Sequence, residues 1–217
     1  MHYWIVGGPT SGLMGRLDLG VEHGWAAPQL LGSYAAERRG VAEQTVASAA
    51  ANMTALAGDL QADAAAIQRV KRFEFYSLGL VLGYSYAGSP VIQPGGGPGA
   101  RGSAVADTTV FTPSADPGAR LPHAWLPDGT SLFDRLGTGL TLLGPAAPAR
   151  GARLADRARE RGIPLSFAEP PPEYPWREEY LLVRPDQHVA WRCADPGQID
   201  LDAVTGHAHA RAGTRPS

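Results

Sequence analysis

A chain of 217 residues with 44% hydrophobic side chains is long enough to fill one large core, or a medium one with an appendage, and reads as a folded protein. A formal net charge of −2 and a pI near 6.3 argue against nucleic acid or an anionic membrane as partner, since both demand a clustered basic excess. No apolar run approaches the ~20 residues that span a bilayer, and the N-terminus lacks the charged-then-apolar order of a signal peptide, so the expected compartment is the cytoplasm. Cys193 is the one cysteine, which excludes an intramolecular disulfide and a two-thiol redox cycle and leaves a structural role as the expectation.

The opening segment "HYWIVGGPTSGLMGRLDLG" predicts a strand over residues 3–6, then glycine punctuation at positions 7, 8, 12, 15 and 20. From Pro28 the period becomes helical, with Leu30, Tyr34, Val41, Val46, Met53, Leu56 and Leu60 recurring mostly at steps of three and four. Gly58 and Asp59 mark a break before a second helix over residues 60–72. In "SLGLVLGYSYAGSPVI", Leu78, Leu80, Leu82, Tyr84 and Tyr86 alternate with smaller residues, which predicts a half-buried strand. Residues 93–103, "QPGGGPGARGS", read as the principal linker.

Beyond the linker, "HAWLPDGTSLFDRL" predicts a hairpin around Asp128 and Gly129. Residues 140–143 predict a buried strand, residues 147–161 a helix stopped by Gly162 and Pro164, and Ile163, Leu165 and Phe167 the next strand. The arginines at 150, 153, 157, 159 and 161 alternate with Asp156 and Glu160, as on a solvated helix face. "EYLLVRPDQHVAWR" reads as two apolar strands about a turn at Pro185, Asp186 and Gln187, and Asp195-Pro196-Gly197-Gln198 as the start of a last helix reaching about residue 210. Strand, helix, strand, hairpin and helix is the order of a thioredoxin-like domain. The expected fold class is therefore α/β: a helical segment plus a strand, followed by a thioredoxin-like C-terminal domain. The turn where redox-active members carry two cysteines is here Gly144-Pro145-Ala146-Ala147-Pro148, so the domain is expected to be redox-silent.

The blocks "LLGSYAAERRGVAE", "LGLVLGYSYAGSPVI", "PGARLPHAWLPDGTSLFDRLGTGLTLL" and "YLLVRPDQHVAWR" resemble, in order, the C-terminal part of the FAD-dependent aromatic hydroxylases, the phenol, chlorophenol and polyketide hydroxylase group. The resemblance runs over about residues 21–193 and departs at Gly40, where the family usually has proline. It implies FAD and NAD(P)H as cofactors, O₂ as co-substrate and a phenol-like or polyketide aromatic ring as substrate. The hard chemistry in such an enzyme is the flavin's, while the protein positions it and excludes water.

A dinucleotide fold needs G-x-G-x-x-G at a strand-to-helix turn, and none occurs; "GGPTSG" has the wrong spacing and "GGGPG" contains a proline and leads into no helix. Residues 1–20 resemble a remnant of the family's flavin and substrate domains, residues 21–93 its middle region, and residues 104–211 its C-terminal domain. The direct junction near Gly20-Val21 leads us to expect a shortened relative, inactive alone and binding no FAD by itself.

No catalytic, cofactor-binding or metal-binding residue stands out. His123 and His188 sit in strand-like runs and are expected to be structural; His207 and His209 would point about 200° apart on a helix and grip no metal. Ser33, Ser89 and Ser131 lack a Ser/His/Asp context, Tyr84 and Tyr86 read as packing, and Glu37-Arg38-Arg39 reads as a helix-surface salt bridge. Two function classes stay open: a flavin monooxygenase relative that needs a flavin-binding half, and a non-catalytic thioredoxin-like interaction or dimerisation module. Either leaves the stripe from Leu30 to Leu60 seeking a surface, as a homo-oligomer or against a separately encoded flavin-binding half.

Overall fold

A computed structural model describes the backbone of residues 3–5, 12–14, 18–58, 68, 77–94, 109–146 and 148–208. The strand expected at the N-terminus is β1 (Tyr3–Ile5), paired antiparallel with β2 (Gly12–Met14). The expected junction at Gly20-Val21 lies inside a short helix, α1 (Asp18–Glu22), whose Gly20 faces the Trp25 ring so closely that a Cβ would sit 2.9 Å from it.

Helix α2 (Gln29–Gly58) is one long element rich in alanine and other strong helix formers, entered after Pro28 and ending at Gly58 as the sequence suggests. Its start is fastened to the far end of the chain: Ala27 N–H donates to Thr205 C=O at 2.9 Å, and Gly206, at φ 81°, lies against Leu30 N. A side chain at Gly206 would meet that nitrogen at 2.8 Å. The second helix expected over residues 60–72 lies outside the described residues, except that Gln68 is helical.

The strand expected across residues 78–86 is not formed. Leu78–Leu82 is a helix, α3, and the only strand-like feature that follows is an isolated bridge from Ser85 to Ala119. The alternation of leucine and glycine has a period of two, but leucine is a strong helix former and no described strand lies alongside to pair. Leu78 and Val81 point outward, while Gly79 is buried and accepts the Gly83 N–H at 2.8 Å.

The C-terminal half is a four-stranded sheet in the order β4-β3-β5-β6, made of β3 (Leu140–Leu143), β4 (Leu165–Ala168), β5 (Tyr180–Val183) and β6 (Val189–Cys193). β3 and β4 are parallel, joined by helix α4 (Pro148–Glu160), and β5 runs antiparallel to both β3 and β6. Gly162, at φ 66°, ends α4 as expected, with its N–H on the Arg159 carbonyl and that of Ile163 on the Ala158 carbonyl. Successive residues of β3 and β5 face two different cores. Leu140, Leu142 and Leu182 pack with Leu154, Ala158, Trp25 and Leu30; Leu143, Leu181 and Val183 pack with Leu121, Leu126, Leu132 and Tyr174. Both faces are covered, which is why these strands read as unbroken apolar runs.

Four expectations are corrected or narrowed here. The hairpin expected around Gly129, at φ 80°, forms but is short: Trp125 bridges Ser131 and Leu126 N–H donates to the Thr130 C=O at 2.9 Å, after which Ser131 and Asp134 make a reciprocal cap and Leu132–Arg135 coils into a 3₁₀ turn. The last helix is split: Asp195 caps a 3₁₀ turn at Pro196–Gln198, extended Ile199 interrupts it, and Asp200 caps α5 (Leu201–Val204) afresh. The α4 arginines are not all solvated. Arg157 donates to the carbonyls of Gly197 (3.2 Å) and Ile199 (2.7 Å), and Arg161 pairs with Asp202 at 3.1 Å, tying the C-terminal segment to α4. Gln93, assigned to the linker, is anchored instead: its N–H donates to Ala190 C=O, and its side chain bonds the backbone of Asp200. Among the described residues no helix is long and apolar enough to cross a membrane.

Candidate functional site

The β5–β6 hairpin carries the most concentrated chemistry in the molecule. Arg184 follows the buried run of β5, and its C=O accepts the Gln187 N–H at 3.0 Å across Pro185 and Asp186. Gln187 sits at φ 69°, the single left-handed non-glycine residue among those described. The turn folds the Arg184 side chain back under itself, and that side chain is 1% exposed.

A buried guanidinium has five N–H groups to satisfy, and Arg184 meets two carboxylates in fork geometry. Nη1 and Nη2 donate to Oε1 and Oε2 of Glu37 at 2.7 and 2.9 Å; Nε and Nη2 donate to Oδ1 and Oδ2 of Asp186 at 3.2 and 2.7 Å. Ser89 Oγ donates to Glu37 Oε1 at 2.6 Å. Glu37 is therefore no surface charge. It stands on the same helical stripe as Leu30, Ser33 and Val41, the face that α2 turns inward, and this corrects the expected surface salt bridge.

Burial raises the Asp186 carboxyl pKa, but the charges and hydrogen bonds of Arg184 and His188 together outweigh it, and the net shift is well downward. Burial opposes the Arg184 charge as well, yet Asp186 and Glu37 hold it above its ordinary range. Arg184 and Asp186 remain ionised together.

His188 and Tyr86 close the knot. The His188 Nδ1–H donates to the Asp186 carbonyl at 3.1 Å, and the ring stacks on Tyr86 with centroids 4.2 Å apart; Tyr84 lies 5.5 Å from Tyr86. His188 Nε2 is buried with no hydrogen-bond partner among the described residues. Arg38 Nη1 donates to Tyr86 Oη at 3.0 Å, and burial, then Tyr84, raises the Tyr86 phenol pKa. Tyr84 and Tyr86 pack as expected, though not from a strand. A polar cavity of about 270 Å³ beside them is lined by Glu37, Gly40, Val41, Gln44, Tyr84 and Ser89 among others.

The other expected histidines and serines fall elsewhere. His123 Nε2 meets Ser131 Oγ at 3.0 Å, a pair the sequence did not suggest, but that oxygen already accepts Phe133 N–H as a helix cap, and Asp134 accepts from Ser131 N–H instead of orienting His123. Ser33 donates to the Leu30 carbonyl, and His207 contacts Thr205 at 2.9 Å; His209 lies outside the described residues. Cys193 is a free thiol 3.6 Å from Gln198. Among the described residues no group of three or more metal-ligating side chains converges.

The described residues do not fit FAD. The strand-to-helix turn after β3 is where a pyrophosphate cradle would form, yet Pro145 and Pro148 carry no N–H, and Tyr180 fills the space beside Gly144, where a Cβ would lie 2.5 Å from the ring. The start of α2 is covered by Gly206. "GGPTSG" (apart from its last glycine) and "GGGPG" lie outside the described residues.

The family described as aromatic-ring hydroxylase, C-terminal, matches residues 114–212. The chain is 29% identical to the FAD-dependent monooxygenase apdD of Emericella nidulans, over 85% of this chain and 35% of the relative. It is 29% identical to a putative polyketide hydroxylase of Streptomyces halstedii, over 80% and 34%. The crystal structure of the flavin-dependent monooxygenase PieE in complex with FAD and substrate superposes with a TM-score of 0.69 at 27% identity, covering 93% of this chain and 42% of that one. The chain spans about a third of the length of these two curated relatives.

Proposed function

We propose that the chain belongs to the aromatic-ring hydroxylases, whose C-terminal family model matches residues 114–212, and that it serves as the C-terminal part of an FAD-dependent monooxygenase that hydroxylates phenol-like or polyketide aromatic rings with NAD(P)H and O₂. Its share of the work is to be a platform. The observation that carries this is the knot of Glu37, Arg184 and Asp186, in which two buried carboxylates meet one guanidinium and fasten α2 to the sheet. FAD supplies the oxygen chemistry when held by a flavin-binding half, joined to this chain or separately encoded. This chain's residues fix the position of α2, whose outer face is left to pack on that half.

The order β4-β3-β5-β6, with a parallel βαβ unit extended by an antiparallel hairpin and a terminal helix, supports reading residues 104–211 as a thioredoxin-like domain. Without cysteines at the turn after β3 it is redox-silent. In this reading residues 1–20 are a remnant of the flavin and substrate domains, and residues 21–93 the middle region. A second reading, a non-catalytic interaction or dimerisation module, is favoured by the outer half of α2, where Val46 is 67% and Met53 72% exposed.

Absorption spectroscopy and an FAD titration test the platform role. The purified chain is expected to be colourless, to leave the spectrum of added FAD unchanged and to oxidise no NAD(P)H with phenols. One tightly bound flavin per chain would overturn it.

A further inference from the structure

Strand β4 ends the sheet, and its outer edge is built to receive another strand. Leu140 N–H donates to Pro164 C=O at 2.9 Å and Gly144 N–H to Ala168 C=O at 3.2 Å, so residues 164, 166 and 168 direct their backbone groups toward β3. In a parallel ladder the alternate residues point the other way. The N–H and C=O of Leu165 and Phe167 therefore face the open edge, and no described residue hydrogen-bonds them. Natural edges are usually blunted by proline, lysine or a bulge, and β4, Leu-Ser-Phe-Ala, has none of these.

Two cavities flank the same end of β4 on opposite faces. On the α4 face, a cleft of about 490 Å³ is bounded by Leu142, Pro145, Ala152, Phe167 and Tyr180. Phe167 is 51% exposed and rests on Gly151 of α4, where a Cβ would lie 2.7 Å from its ring. On the other face, a cavity of about 410 Å³ is bounded by Leu126, Asp128, Arg135 and Ala168. Glu169 borders both, and no ion pair or hydrogen bond engages it among the described residues. Side chains of an added strand alternate between faces, so successive residues would enter one cavity and then the other.

We propose that the β4 edge binds an extended segment of a partner protein by strand addition. The segment alternates a large apolar residue, seated in the cleft beside Phe167 and Tyr180, with a basic residue beside Glu169 and the Asp128–Arg135 pair. The sign of the charge follows from Glu169: Asp128 is already paired with Arg135, which leaves the Glu169 carboxylate as the unmatched charge between the two cavities.

The test uses the full chain and two capped, fluorescein-labelled hexapeptides, one alternating leucine with lysine and the other leucine with glutamate, read by anisotropy. The lysine peptide is expected to bind and to slow exchange of the Phe167 amide proton; the glutamate peptide is expected to bind at least about tenfold more weakly. Phe167→Pro deletes the outward N–H and is expected to weaken the lysine peptide about tenfold, while Phe167→Ala keeps the backbone donor and costs less. Glu169→Lys is expected to reverse the preference between the peptides. Circular dichroism confirms that each variant is folded. The proposal is overturned if neither peptide binds, if both bind alike, or if Phe167→Pro, folded, binds as before. It is equally overturned if the Phe167 amide is already protected in the free chain, or if the chain forms a dimer that Phe167→Pro dissolves, since the edge is then occupied by this chain itself.

Discussion

The two halves of α2 have similar helical sequences and opposite surroundings. In the first half Leu30, Ser33 and Glu37 are buried against the C-terminal segment, Ser89 and the β5–β6 hairpin. In the second half Val46 and Met53 lie in solvent, and Thr45 and Thr54 turn their hydroxyls back to the carbonyls of Val41 and Ala50. An apolar residue at helical spacing shows which face the helix offers, whereas burial depends on whether another element reaches that face. Among the described residues of the stripe, Val41 is the last one packed against the core.

The largest effect expected along this contrast comes from the knot. Arg184→Leu strands the carboxylates of Glu37 and Asp186 in the interior, and urea unfolding is expected to show a loss of about 3–5 kcal/mol. Leu30→Ala, at a position 2% exposed, is expected to cost about 2–5 kcal/mol. Glu37→Gln keeps the shape but not the charge and is expected to cost about 1–3 kcal/mol, less than Arg184→Leu because Asp186 still pairs with Arg184. On the outer half of the same helix, Met53→Ala is expected to change stability by no more than about 0.5 kcal/mol. Its effect should fall on association instead: light scattering is expected to show self-association of the intact chain and its loss in Val46→Glu with Met53→Glu. A chain that stays monomeric at micromolar concentration would mean that this face is covered within the monomer.

Acid offers a second way to separate the two halves. Asp186 has a native pKa below its unfolded value near 3.9, so the unfolded chain binds the extra proton and stability rises with pH in that range. The contribution is present above about pH 4 and is lost as pH falls toward the lower native value. Asp186→Asn is expected to flatten the stability profile between about pH 2 and 5, and Met53→Ala to leave its shape unaltered.

How much of this could be read from residues alone differs between elements. β3 and the hairpin were legible because their apolar runs are short and unbroken, and α4 because Gly162 and Pro164 stop it. Residues 78–82 misled because alternation of leucine with glycine fits a strand, and only the missing partner decides for a helix. The knot was half visible. Glu37 lies on the Leu30–Val41 stripe, and Arg184 stands between two apolar strands, so neither had a route to water. What no local pattern carries is their pairing across 147 positions of sequence.

A double-mutant cycle of Glu37→Leu and Arg184→Leu tests most directly whether this ion pair is what fixes α2 on the sheet. Arg184→Leu strands both Glu37 and Asp186, Glu37→Leu leaves Arg184 to Asp186 alone, and the double change leaves only Asp186 without its partner. The double variant is expected to be more stable than the sum of the singles implies, with a coupling of at least about 1.5 kcal/mol. Additive losses, with coupling near zero, would contradict the account and place the attachment of α2 in its apolar contacts alone.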